Sequence, residues 1–199
     1  MTTEEVADKL KLTSQLMELH GENSFKAKAL ANAAFRLDRT GINLAGKSLG
    51  ELECIEGIGK GIAAKIFEIQ TSGELKELQT LLDKTPAGVI DMMSVKGIGP
   101  KKVALLWNEL GIESIGELLY ACKENRLLAL KGFGEKTQVS VKKAIEFKMS
   151  NIGKFHYASV EEFAFKVIDE LKQNLKTDLV SLTGAMRRRC EIIEKIEIL

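Results

Sequence analysis

One short pattern occurs three times in the chain, as ECIEGIGKGIAAKIFEI from Glu53, MSVKGIGPKKVALLW from Met93 and LALKGFGEKTQVSVKKAI from Leu128. Each copy has an apolar lead-in, glycine, one apolar residue, a second glycine, and then small, charged and apolar residues at helical spacing. The glycine pairs are Gly57 and Gly59, Gly97 and Gly99, and Gly132 and Gly134. Glycine permits positive φ and close approach by a partner, so each pair predicts a tight turn with one helix ending before it and another starting after it. Repetition of one unit across so much of the chain predicts an almost wholly helical structure up to about residue 150.

The flanking residues agree. Thr2 with Glu5, Ser48 with Glu51, Ser114 with Glu117 and Ser159 with Glu162 all have the spacing of a capping box. Gly73 and Gly111 fit positions just past a helix C-terminus. Val6, Leu10, Leu16 and Met17, then Phe25, Leu30, Ala33, Ala34 and Leu37, recur at helical spacing and predict two amphipathic helices before the first repeat. After Met149 the pattern changes. SNIGKFHYASV reads as a connector, a helix follows from about Val160 to Leu175, and DLVSLTG and IIEKIEIL read as two strands of a small sheet. The expected fold class is mainly α, with short helices in hairpin repeats and a small α/β fragment at the C-terminus.

With 199 residues and 45% hydrophobic content, the chain can bury a real core in one domain or in two or three small ones. No apolar run approaches a membrane span, and MTTEEVADKLKLTSQ is a mixed amphipathic stretch rather than a signal peptide, so cytoplasm is the expected compartment. Cys54, Cys122 and Cys190 are scattered, odd in number and not spaced as a metal site, which suits packing in a reducing compartment. His20, His156 and the single Trp107 read as packing or surface residues.

The 29 Lys and Arg against 28 Asp and Glu give a net charge of only +1, so any attraction for anions must be local. It is concentrated at the turns. Lys96, Lys101 and Lys102 surround one glycine pair, Lys131 and Lys136 flank another with Lys142 and Lys143 following, and Arg187 to Arg189 form a run near the end. In KGIGPKK, Pro100 suits the first helical position, where its missing N–H costs nothing. Lys101 and Lys102 then lie beside a helix N-terminus whose free N–H groups and dipole attract anions. That combination suits a phosphate.

Taken together, the repeats resemble helix-hairpin-helix motifs, which bind nucleic-acid backbones through the amides of the Gly-apolar-Gly turn. GENSFKAKALANAAF, ELECIEGIGKGIAAKIFEIQTSGELKEL, MSVKGIGPKKVALLWNELGIESIGELL and LLALKGFGEKTQ resemble, in sequence and order, the amino-terminal lyase domain and following hairpins of the X family of DNA polymerases, particularly its bacterial branch. LTGAMRRRCEIIEKIEIL resembles that family's entry into the polymerase palm. The resemblance implies a lyase-like helical domain with the first hairpin over 1–84, the second and third hairpins over 85–150, and a helix with two strands of a palm over 151–199.

What the resemblance implies for function is residue-specific. DNA backbone, whether duplex, gapped or nicked, would meet Gly57, Gly59, Lys60, Gly97, Gly99, Lys101, Lys102, Gly132, Gly134, Lys136 and Lys26. Backbone carbonyls of Met93, Val95 and Ile98 correspond to those that hold a sodium or potassium ion bridging to a DNA phosphate. The family's Schiff-base lysine falls on Lys65, with Lys26 and Lys60 nearby, but Leu30 replaces a tyrosine of animal relatives, and Glu53, Gly61 and Glu77 replace basic positions. In the palm-like segment Gly184 and Ala185 stand for Gly-Ser, and Glu194, Lys195, Ile196 and Glu197 stand for Gly-Asp-x-Asp. Magnesium needs hard anionic oxygens, so Lys195 places a cation where a ligand belongs. The reading expected is a sequence-independent DNA-binding protein of DNA-repair type that extends no primer. Its alternatives are an abasic-site lyase using Lys65 and a protein-interaction scaffold.

Overall fold

The first helix, α1 (Thr3–Leu19), begins at a complete capping box: the Glu5 N–H donates to Thr2 Oγ1 at 3.2 Å and the Thr2 N–H donates to Glu5 Oε2 at 2.7 Å. In α2 (Ser24–Thr40) the side-chain oxygen of Asn23 caps the start, accepting from the Phe25 and Lys26 N–H groups. These two helices pack along each other, burying Val6, Leu10, Leu16 and Met17 against Leu30, Ala34 and Leu37. Ser14 is buried with them and donates its hydroxyl proton to the Ala27 carbonyl at 2.8 Å.

The computed structural model describes all residues, 1–199, which fall into two units, Met1–Glu146 and Phe147–Leu199. Unit 1 continues with α3 (Leu49–Glu53), α4 (Lys60–Ser72), α5 (Lys76–Asp83), α6 (Ala87–Met92), α7 (Pro100–Leu110) and α8 (Ile115–Lys123). A short 3₁₀ turn (Arg126–Ala129) and α9 (Glu135–Ser150) follow, the division between units falling within α9. One continuous apolar core runs from Val6 to Ile145, drawing on Leu52, Ile66, Ile69, Leu81, Val89, Met92, Val103, Leu106, Leu118 and Val141. Gly73 and Gly111 end α4 and α7 as expected. No helix is long and apolar enough to cross a membrane.

Where α6 packs against α8, Gly88 lies against the chain just before α8. A Cβ built there would stand 2.1 Å from the carbonyl oxygen of Glu113 and 3.4 Å from the Cα of Ser114. Backbone meets backbone at this point because a side chain has been left out.

Unit 2 is small and mixed, so the chain is mainly α with a C-terminal α/β fragment. It holds β1 (Phe155–His156), α10 (Tyr157–Leu175), β2 (Leu182–Thr183), α11 (Gly184–Arg187), β3 (Ile192–Ile193) and β4 (Glu197–Ile198). The strands pair antiparallel as β1 with β3 and β2 with β4, in two separate sheets. Ala164, Met186 and Ile193 make its core.

Four details depart from the sequence reading. IIEKIEIL is two strands in different sheets rather than one, because the chain bends at Glu194 and leaves the ladder until Glu197. The connector before α10 supplies β1, the partner of β3. Ser159 does not cap α10; the helix already starts at Tyr157, and the Ser159 hydroxyl donates back to the His156 carbonyl at 2.7 Å. Ser114 accepts from the Glu117 N–H as an N-cap, but the Glu117 carboxylate accepts from the Glu113 N–H instead of completing the box.

Candidate nucleic-acid interface

The three glycine turns share one backbone geometry. The first glycine of each pair has φ of 81° at Gly57, 93° at Gly97 and 92° at Gly132, a region costly for any residue with a Cβ. The apolar residue between the glycines is buried in each case, and its N–H donates to the carbonyl three residues back: Ile58 to Ile55 at 3.0 Å, Ile98 to Val95 at 3.1 Å, Phe133 to Leu130 at 3.1 Å. The second glycine opens the following helix, its carbonyl accepting from Ala63, Val103 or Gln138 at 2.9–3.0 Å. Side-chain capping is absent at Gly59 and Gly99, which leaves the first N–H groups of α4 and α7 for an outside acceptor.

The second glycines are the informative ones. Gly59 and Gly99 have φ of −79° and −98°, which any residue adopts, and none of Gly59, Gly99 and Gly134 would meet an atom within 4 Å on gaining a Cβ. Nothing inside the protein requires glycine there. A partner's backbone approaching those amides would.

The surroundings of the turns differ in charge. Ahead of the first stand Glu51, Glu53 and Glu56; ahead of the second stands Lys96, and ahead of the third Lys131. Arg36, from α2, reaches the first turn, donating to the Glu56 carbonyl at 3.0 Å with its guanidinium against Gly57. Lys60 is exposed at the start of α4, and in the third turn exposed Lys136 follows Glu135, an acid in the first helical turn. The second turn is the most basic, with Lys96 and Lys101 both exposed. Lys101 stands 3.5 Å from Glu18 with 80% of its side chain in solvent, a surface pair too weak to hold it from a phosphate. Lys102 is committed inward: its ammonium donates to the Gly97 carbonyl at 3.3 Å and stands over the buried ring of Phe133 at 5.5 Å, tying the second turn to the third.

For a monovalent cation, the Met93, Val95 and Ile98 carbonyls are neutral oxygen donors in the second turn. The Val95 carbonyl accepts from the Ile98 N–H, which leaves it a second lone pair. The set fits such an ion in kind.

Lys65 is brought together with Lys26 and Glu77. Glu77, at the start of α5, gives Oε2 to the Lys65 ammonium and Oε1 to the Lys26 ammonium. Burial pushes the Glu77 carboxyl up, but the hydrogen bonds and charges of Lys26 and Lys65 outweigh it and hold the carboxyl below its ordinary value. A Schiff-base nucleophile needs a free amine lone pair, and here the nitrogen is engaged as an ammonium on a carboxylate. The sequence marks Glu77 as a replacement for a basic residue; that it grips both lysines is a tertiary fact. Because the folded carboxyl is depressed, its stabilising contribution is present above the ordinary carboxylate value of 4.5 and is lost as pH falls below it. Thermal melts should therefore show Glu77→Gln less stable than the unmodified chain at pH 7, with the difference closing as pH falls towards 3.

In unit 2, Lys195 donates to Glu197 at 2.7 Å, and that hydrogen bond first, with the carboxylate's charge, raises the Lys195 ammonium above its ordinary value. No group of three or more His, Cys, Asp and Glu side chains is placed to hold a metal ion. A divalent pair does not fit these residues.

Residues 1–75 match the helix-hairpin-helix domain family and residues 89–146 the SAM-like helix-hairpin-helix tandem family. Over 181 residues, 91% of this chain, the sequence is 28% identical to the DNA polymerase/3′-5′ exonuclease PolX of Bacillus subtilis (strain 168). The chain spans 31% of that relative's length. With the three matching turns, these similarities make it a protein like the X family of DNA polymerases, built on helix-hairpin-helix repeats.

Proposed function

We propose that this chain binds the sugar-phosphate backbone of DNA, duplex, gapped or nicked, without reading bases and without a catalytic step of its own. The observation that carries the proposal is the set of second glycines: unstrained, unobstructed and followed by helix N-termini whose amides have no side-chain cap at Gly59 and Gly99. The second turn is the principal contact. Its Gly97, Gly99 and Lys101 meet one phosphate, Lys96 supplies further charge, and a sodium or potassium ion on the Met93, Val95 and Ile98 carbonyls supplies a cation to the same strand. The third turn, through Gly132, Gly134 and Lys136, is a secondary contact. The first, through Gly57, Gly59 and Lys60, is weakened by the glutamates ahead of it. Lys102 supports the second turn from inside, and the similarity to PolX supports a repair context.

Backbone contacts of this kind position a protein but carry no sequence information. Duplexes of unrelated sequence should therefore bind with affinities within about threefold of one another, weakening with salt along a log–log slope of roughly −4, as expected for about four to five neutralised phosphates. Fluorescence anisotropy between 50 and 200 mM salt measures both. Absence of binding would leave the fold as a protein-interaction scaffold, and strong preference for one duplex sequence would contradict backbone recognition.

A further inference from the structure

Two lysines from different helices, Lys26 at the start of α2 and Lys65 within α4, converge on one carboxylate, Glu77, held at the start of α5. Each carboxylate oxygen takes one ammonium, the way two oxygens of one phosphate group would. The Lys65 and Glu77 side chains are only 18% and 23% exposed, while Lys26, at 48%, forms the open side. An anion reaching the two ammoniums must displace Glu77, which α5 fixes in place.

We propose that Glu77 is a built-in substitute for phosphate that closes this two-lysine pocket to 5′-phosphorylated strand ends, so that the chain grips continuous backbone and not termini. The inference rests on the DNA-binding reading for its biological sense, but the pocket chemistry stands apart from it. With Glu77 present, an incoming phosphate meets a carboxylate already on both lysines and is repelled by it. With the carboxylate gone, two ammoniums converge on one space, partly withdrawn from water, where their attraction for a dianion is strengthened.

The test compares gapped duplexes that carry either a 5′-phosphate or a 5′-hydroxyl at the gap, using the unmodified chain, Glu77→Gln, and Glu77→Gln combined with Lys65→Met. The unmodified chain should bind the two ends within about twofold. Glu77→Gln should prefer the phosphate by about tenfold, the effect of charge-assisted hydrogen bonds gained at one group. Adding Lys65→Met should erase that preference. A second arm needs no DNA: inorganic pyrophosphate should slow acetylation of Lys65, followed by peptide mass spectrometry, in Glu77→Gln and not in the unmodified chain. Marked preference for the phosphorylated end by the unmodified chain overturns the proposal, even if the variant does not fold. So does folded Glu77→Gln that shows neither end preference nor protection. Should neither the unmodified chain nor its variants bind any duplex, the DNA-binding reading fails and the pyrophosphate arm alone decides on the pocket.

Discussion

Gly99→Val should lower affinity for duplex DNA by roughly ten- to a hundredfold while leaving the thermal melt almost unchanged. Its φ of −98° and ψ of 176° suit a β-branched residue, Pro100 favours the same extended backbone in the residue before it, and no atom lies within 4 Å of the added Cβ. The fold therefore accepts valine. A phosphate does not, because the isopropyl group stands over the amides at the start of α7 and removes charge-assisted hydrogen bonds worth about 1.5–3 kcal/mol. Lys101→Ala, which removes a single exposed charge, should cost only about threefold. Anisotropy titrations paired with melts separate the two effects. Unchanged affinity in folded Gly99→Val would rule the second turn out as a phosphate site. Gly97→Val is a poorer probe, since its φ of 93° means that the turn itself would be damaged.

The largest expected loss of stability lies far from any lysine. Gly88→Ala adds one methyl group at a point where the Glu113 carbonyl oxygen stands 2.1 Å away, and neither partner is a flexible side chain that can swing aside. α6 must move from α8, opening the packing around Val89, Met92 and Leu118, all fully buried. Overpacking of this kind costs about 3 kcal/mol, or on the order of 10 °C in the melting temperature of a domain this size. Gly61→Ala, in the first turn of α4 with open space around it, serves as the comparison and should be neutral or mildly stabilising. Equal melts for the two variants would show that the α6–α8 contact is not tight.

What could be read from the sequence follows from the range of the interactions. The glycine turns, the N-caps at Thr2 and Ser48 and the glycine stops at Gly73 and Gly111 are decided within a few residues, and the structure has them where the pattern puts them. α10 is legible as a helix, although it starts at Tyr157 because β1 ends there and His156 serves as N-cap. The contacts that define the candidate site are long-range. Lys26 and Glu77 are 51 residues apart, and Arg36 crosses 20 residues to reach the Glu56 carbonyl. Neither pairing leaves a local trace. Lys102 shows the limit from the other side: its place beside the glycines suggests a phosphate ligand, yet Phe133, from the next repeat, draws its ammonium inward. The single-strand reading of IIEKIEIL fails for a related reason, since composition marks β-forming residues but not the partner each segment finds.

Each of the three turns is assembled from main-chain hydrogen bonds, one positive φ and one buried apolar side chain, and uses no charged group to hold its shape, save the Lys102 brace on the second. Shape and charge are thus independent variables. Residues such as Glu56, Lys96 and Lys131, each just ahead of its first glycine and each exposed, can change sign without unmaking the loop they border. A repeat built in this way can drift or be redesigned into a graded series, one member gripping strongly, one lightly and one releasing altogether, while the scaffold beneath stays the same.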